Sequence, residues 1–269
     1  MMSSRRLRWG LWTWATLVVA FLMAPIAMVG VLSFNSSRFL QFPPPSWTTD
    51  WYKEYVTDPT WIDVTLRSLA VAVMASAMSV AVGTLLSFAI VRGRIRARTS
   101  LYLAALAPLI IPQIIFALGI YLLYARLRML GTIYGVAIAH AVLAVPFVVV
   151  PVVAMLQSLD PSLERVAQTL GASPARALRT VTLPIMWPAL GAAGIFAFMT
   201  SLDEVVVALF ISGRTAETLP VHMFNAIQLG LNPTVTAAAT GLIVFMAAGL
   251  VVASMTSSVV ARRRGQRAT

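Results

Sequence analysis

Two adjacent acids, Asp203 and Glu204, lie in the apolar run TSLDEVVVALF and are the residues best suited to act on a charged solute. A charge near the bilayer centre costs on the order of 2.5–3.5 kcal/mol even on lenient scales, so it needs a cavity or a partner. Thr200 stands three residues before Asp203 and four before Glu204, which on a continuous helix puts all three along one polar flank. Such a flank suits a cation path. The same acids would also serve in pairing with an arginine or a neighbouring helix, or would simply sit at the outer rim if the span is shifted. His140 and His222 are the only histidines, far apart and without a cysteine or glutamate set beside them, a poor basis for a zinc site or a Ser-His-Asp triad. There is no cysteine, which removes disulfides, thiolate metal sites and a cysteine nucleophile. No GxxxxGK[ST] phosphate loop occurs, so any work against a gradient must draw its energy from elsewhere.

The elements that must position these residues are apolar spans. Of 269 residues, 59% are hydrophobic and 11% charged, with a mean hydropathy of +0.85. That is beyond soluble usage and reads as an all-α, multi-pass membrane protein. Residues 9–34 follow Arg5, Arg6 and Arg8; the run is too long for a signal peptide and lacks a cleavage site, so it is expected to stay as a first membrane helix. Residues 35–63 form a polar loop whose Trp47, Trp51, Tyr52, Tyr55 and Trp61 suit the headgroup level. Further spans are expected at 65–91, 101–123, 131–156, 188–211 and 234–260, the last capped by Asn232-Pro233, with a loop at 212–232. Pro108 and Pro112, beside Gln113, interrupt the third span, either as a kink that shapes a pathway or as a packing kink. Gly191 and Gly194 suit close helix approach.

Six spans put both termini on one side. That side carries fourteen of the Lys and Arg residues, counting Arg92, Arg94, Arg96, Arg98 and the tail Arg262, Arg263, Arg264 and Arg267. The other side has six: Arg38, Lys53, Arg67, Arg126, Arg128 and Arg214. The positive-inside rule then expects cytoplasmic termini. The net charge of +11 is distributed between apolar runs rather than along a soluble face, which argues against a nucleic-acid partner. The organisation expected is residues 1–64 as first helix and external loop, 65–260 as a five-helix membrane domain, and 261–269 as a basic tail.

One hydrophilic island interrupts the spans on the arginine-rich side, DPSLERVAQTLGASPARALRTVTLPIMWP at 160–188. Asp160 can cap a first short helix whose first turn accepts Pro161. Leu163, Val166, Ala167 and Leu170 share one face at helical spacing. Gly171 offers the left-handed stop. Ser173-Pro174 restarts a helix that passes Arg176 and Arg179, and Leu183-Pro184 is expected to end it near residue 181. Periodicity alone fits either a bracket gripped by another protein or an amphipathic loop lying on lipid.

These residues resemble the cytoplasmic Glu-Ala-Ala loop of ATP-binding-cassette importer permeases. Gly171-Ala172-Ser173-Pro174, Ala167 and the ending Val181-Thr182-Leu183-Pro184 carry the resemblance. Arg165 stands where that loop has its glutamate, with Glu164 one place earlier, and Val166 replaces the first alanine. Leu32-Ser33-Phe34-Asn35-Ser36-Ser37, Pro146-Phe147-Val148-Val149-Val150 and Ser201-Leu202-Asp203-Glu204-Val205-Val206-Val207 are similar to the second permease of spermidine/putrescine-type (PotC-type) importers. The resemblance implies a MetI-like, type I importer fold of six membrane helices in a bacterial inner membrane. It also implies a heterodimer with a sister permease, two cytoplasmic ATP-binding subunits that hold ATP and Mg, and a periplasmic solute-binding protein. No cofactor belongs to this chain itself. Glu164, Arg165, Ala167, Gly171, Ala172, Leu183 and Pro184 would form the ATPase-coupling loop, and Thr200, Asp203 and Glu204 would flank a polyamine path. An amino-acid-like or opine solute is the alternative within the class. A stand-alone secondary carrier or cation channel is the alternative outside it.

Overall fold

The computed structural model describes residues 3–37, 41–93, 95–229 and 233–265, with side chains described from residue 8 to 251 within those ranges. Every regular element among them is helical: α1 Ser3–Leu32, α2 Asp50–Thr57, α3 Pro59–Arg92, α4 Arg98–Ile110, α5 Gln113–Leu127, α6 Ile133–Ser158, α7 Ser162–Thr169, α8 Pro174–Ala177, α9 Leu183–Leu202, α10 Val206–Ile211, α11 Leu219–Leu229 and α12 Thr234–Gly265. Five helices or joined helical runs are long and apolar enough to cross a membrane, beginning at Arg8, Pro59, Ile133, Pro174 and Thr234. The pair α4–α5 makes the sixth crossing if counted as one, but it is bent by 103°. Arg38, Arg94, Asn232 and Arg267 lie outside the described residues, as do the side chains of Arg5, Arg6, Arg262, Arg263 and Arg264.

The chain divides into two compact units, one of Met1–Ile62 with Met223–Phe245, the other of Asp63–His222 with Met246–Thr269. In the first, the loop expected at 35–63 is ordered by its own polar groups and contains α2. Asn35 is fully buried. Its side chain donates to the Gln41 carbonyl at 2.9 Å and accepts from the Ser37 N–H, and its carbonyl accepts from the Trp51 ring nitrogen. Tyr52 stacks obliquely on Phe34 and shares a hydrogen bond with Ser33. Trp51 and Tyr52 are thus committed to the loop itself, while Trp47 stays 67% exposed.

The second unit is built on α6, where Val136, Ala144, Val148, Val152 and Leu156 are buried. Its N-cap is Thr132, whose hydroxyl accepts the Gly135 N–H at 3.0 Å. Helix α3 approaches closely at Gly83, where an added Cβ would lie 2.8 Å from Val148. Ser79 and Ser76 of α3 donate to carbonyls of Ala141 and Gly194 on the facing helices. Gly194 is therefore at a helix contact. Gly191 is not, because a Cβ there would meet nothing within 4 Å. The third span does not merely kink. Pro112 holds Ile111 in extended geometry, ψ 128°, as proline disfavours helix in the residue before it, and the chain leaves α4 altogether. The expected loop at 212–232 includes α11, whose first N–H, that of Leu219, is taken by the buried hydroxyl of Ser68 on α3 at 2.6 Å.

Candidate functional site

The island at 160–188 folds by local rules and then departs from one of them. Asp160 accepts the Ser162 N–H at 2.8 Å; that bond, more than the nearby Arg165 charge, holds its carboxyl below the usual range. Helix α7 stops at Gly171, φ +90°. The Gly171 N–H reaches the Gln168 carbonyl and the Ala172 N–H reaches the Ala167 carbonyl, both at 3.0 Å. These two bonds are the paired Schellman closure, which uses the carbonyls a helix end leaves orphaned. Ser173 then caps α8 by accepting from the Arg176 N–H, with Pro174 at the first turn.

The apolar stripe of α7 does not face the protein. Leu163 is 43%, Val166 57% and Leu170 83% exposed. The opposite face is tied down through Glu164. Arg92, the last residue of α3, donates to one Glu164 oxygen at 2.5 Å, and the buried hydroxyl of Thr182 donates to the other. Arg165 points away and is exposed.

Leu183-Pro184 does not end the second helix. Residues Leu178–Thr182 form a π-helical turn that leads directly into α9. An interior proline lacks the donor and clashes with the carbonyl four residues back. The wider turn carries one extra residue, which accommodates Pro184 without breaking the rod. Pro174–Leu202 is consequently one run of 29 residues, with Leu183 and Pro184 inside it.

At the far end of that rod the acids part company. Helix α9 ends at Leu202 with Asp203 as its C-cap, its N–H still on the Met199 carbonyl, and Glu204 lies in the break before α10, so Glu204 leaves the flank that Thr200 and Asp203 were expected to share with it. Thr200 bonds back to the Phe196 carbonyl of its own helix at 2.9 Å. Asp203 is exposed and makes no ion pair or side-chain hydrogen bond among the described residues. Glu204 turns inward and is 5% exposed. Its two oxygens accept the Val207 and Ala208 N–H groups at 2.8 and 2.9 Å, capping α10. His140 of α6 brings Nε2 to 3.3 Å from the same carboxylate, within ion-pair reach though outside hydrogen-bond geometry. The other ring nitrogen of His140 bonds to Ser201 at 2.9 Å. His140 therefore does have a glutamate beside it, 64 positions along the chain, and His222 has Glu217 at 3.4 Å. The signal for the first pair was available: two ionisable residues in neighbouring apolar spans should find each other.

The end of α10 is fixed as well. Its Ile211 carbonyl accepts from the Gly131 N–H at 2.8 Å, and Thr215 returns a bond to the Gly131 carbonyl. Gly131 has φ +70°, a conformation that needs glycine. The break is thus held at Glu204 and again at Ile211, and Asp203 is its loose polar residue.

A family model described as "Binding-protein-dependent transport system inner membrane component" matches residues 79–266. Among characterised proteins, the chain is 34% identical over 230 residues to "Putrescine transport system permease protein PotI" of Escherichia coli (strain K12), covering 82% of this chain and 80% of that one. It is 32% identical over 243 residues to "Spermidine/putrescine transport system permease protein PotC" of the same organism, covering 90% of each. Among solved structures, one chain of "a bacterial ABC transporter involved in the import of the acidic polysaccharide alginate" aligns with TM-score 0.70 and 17% identity, over 96% of this chain and 97% of that one.

Proposed function

Because this chain belongs to the family of binding-protein-dependent transport system inner membrane components, we propose that it is one of two membrane subunits of an ATP-driven importer for a small polyamine-like cation. The names of its relatives support the solute class. The exposed apolar stripe Leu163–Val166–Leu170 carries the coupling part of the reading. Three large apolar side chains on a short helix outside the spans are stable when a partner covers them. A cleft of a cytoplasmic ATP-binding subunit is that partner, and a sister permease presents a second bracket to a second ATP-binding subunit. The termini and the bracket face the cytoplasm in this reading, which the arginine asymmetry supports.

In this mechanism the partners bind ATP and Mg and hydrolyse the nucleotide. Closure of the ATPase pair moves α7. The motion passes to α3 through Glu164–Arg92 and into the long run through Thr182. The spans then rock between outward-open and inward-open arrangements, a rigid-body transition between two packings. A periplasmic binding protein releases solute at the outer face. Asp203, exposed at the α9–α10 break, attracts an ammonium group without enclosing it, which lets the solute leave again. Glu204 keeps the shape of the break rather than touching solute.

The test is reconstitution of the permease pair, ATPase and binding protein in liposomes with radiolabelled putrescine. Uptake that requires both ATP and the binding protein is the expected result. Uptake by the permease alone would make it a secondary carrier. Val166→Asp should abolish co-purification of the ATPase while the permease still inserts; normal co-purification would remove the stripe from the docking surface.

A further inference from the structure

The arginine-rich end of the second unit holds a cavity that the transport reading does not use. It measures about 420 Å³ and is lined by Ile90, Arg98, Thr99, Tyr102, Val153 and Gln157. Three helices meet there: the last turns of α3, the start of α4 and the last turn of α6. Its floor is firm. Ile90 and Val153 are buried in one cluster with Ala105 and Val149, and Tyr102 packs against that cluster.

Its polar side is uncommitted. Arg98, Thr99, Tyr102 and Gln157 make no side-chain hydrogen bond or ion pair among the described residues. Arg92, two residues from Ile90, is spent on Glu164; Arg98 is not spent. No acid occurs between Arg92 and Arg98 in a stretch that carries four arginines. A guanidinium, a hydroxyl and an amide around a basic hollow match a phosphate, which offers several strong acceptor oxygens. One wall is apolar and continuous with the membrane-spanning helices, which suits the glycerol and upper acyl carbons of a lipid. Basic pockets between membrane helices at the cytoplasmic level are the geometry that holds anionic lipid headgroups.

We propose that this cavity binds a phosphate-bearing anion, supplied by an anionic phospholipid of the surrounding leaflet, with Arg98 as the anchoring cation. The lipid would thereby brace α3 against α4 and α6 beside the point where Arg92 receives the coupling bracket. The leaflet assignment rests on the cytoplasmic orientation proposed above; the binding itself does not.

The experiment is native mass spectrometry of the assembled complex, carrying either this wild-type chain or a variant of it, after exchange into detergent with phosphatidylglycerol or phosphatidylcholine. The wild type is expected to retain phosphatidylglycerol over phosphatidylcholine. Arg98→Gln should lower that retention about fivefold, the effect expected of one interfacial arginine. Arg98→Lys should restore part of it, and Arg128→Gln, at the opposite end of the spans, should leave it unchanged. Equal retention by Arg98→Gln overturns the site. Displacement of the lipid by millimolar inorganic phosphate would overturn the lipid source in favour of a free-phosphate site. Labelling of a Ser173→Cys variant from the outer face only would overturn the orientation while leaving the binding result standing.

Discussion

Arg92, the last residue of α3, and Glu164 of α7 meet at 2.5 Å across 72 positions of sequence, with side chains only 25% and 18% exposed. The contact makes α7 part of the second span rather than a free loop. It also places Glu164 with its back to any docking partner, while Arg165 is turned outward. The usual glutamate position of the resembled loop is therefore vacant of negative charge on the outer side, and the neighbouring glutamate serves an internal bond.

Breaking that bond should be measurable. Glu164→Gln and Arg92→Gln are each expected to cost about 1–3 kcal/mol, between the values for exposed and fully buried pairs. The double variant should cost little more than either single one, because both remove the same interaction. Thermal unfolding of the assembled complex reads the cycle; strictly additive losses would show that the pair does not interact.

Gly171 tests conformation apart from space. A Cβ there would touch nothing within 4 Å, yet φ is +90°. Gly171→Val should therefore cost about 1–2 kcal/mol through backbone strain and loosen ATPase docking. Gly171→Asn, which tolerates positive φ better, should co-purify with the ATPase. Unchanged co-purification and transport by Gly171→Val would sink the role of the Schellman turn.

Asp203 and Glu204 should give different phenotypes although they are neighbours. Asp203→Asn is expected to lower cation uptake and leave the complex assembled. Glu204→Ala removes two helix-capping bonds and the partner of His140, and should destabilise the subunit by about 3 kcal/mol. Initial uptake rates and melting temperatures separate the two. Normal uptake by Asp203→Asn takes that residue out of the path.

Two glycines of similar helical setting should also diverge. Gly83→Ala places a Cβ 2.8 Å from Val148 and should cost about 1–3 kcal/mol by overpacking. Gly191→Ala meets nothing and should stabilise α9 by up to about 1 kcal/mol through helix propensity. Equal melting temperatures for the two variants would contradict the α3–α6 contact.

What could be read directly from the amino acids was whatever local chemistry decides. The cap at Ser173 and the stop at Gly171 each depend on a neighbour a few positions away; at Asp160 the side chain accepts the Ser162 N–H as expected of that residue type, though α7 takes Pro161 as its N-cap. The apolar spans follow from composition, and the family loop from a spacing of small residues. The α9–α10 break was not read, because TSLDEVVVALF is a good helical pattern; Glu204 caps α10 locally, but the partners that hold it and the end of α10 in place, His140 and the turn at Gly131, are distant. The π turn escaped for a similar reason. Leu183-Pro184 signals an end, and only a wider turn, set among packed neighbours such as Thr182 under Glu164, allows the chain to pass through it. Helix α11 was hidden because the hydroxyl that takes its first N–H, Ser68, comes from another span.

That passage through Pro184 has a mechanical meaning. The run Pro174–Leu202 holds 29 residues, and at helical rise it is about 43 Å long. A run of that length turns angle into distance: a tilt of ~10° about its Ser173 end displaces the other end by ~7 Å. Displacement on that scale is comparable to the width of an extended polyamine chain. A hinge at Leu183-Pro184 would have absorbed the tilt near the bracket. The run instead stays helical through Leu183-Pro184, and its far end is the break at Asp203.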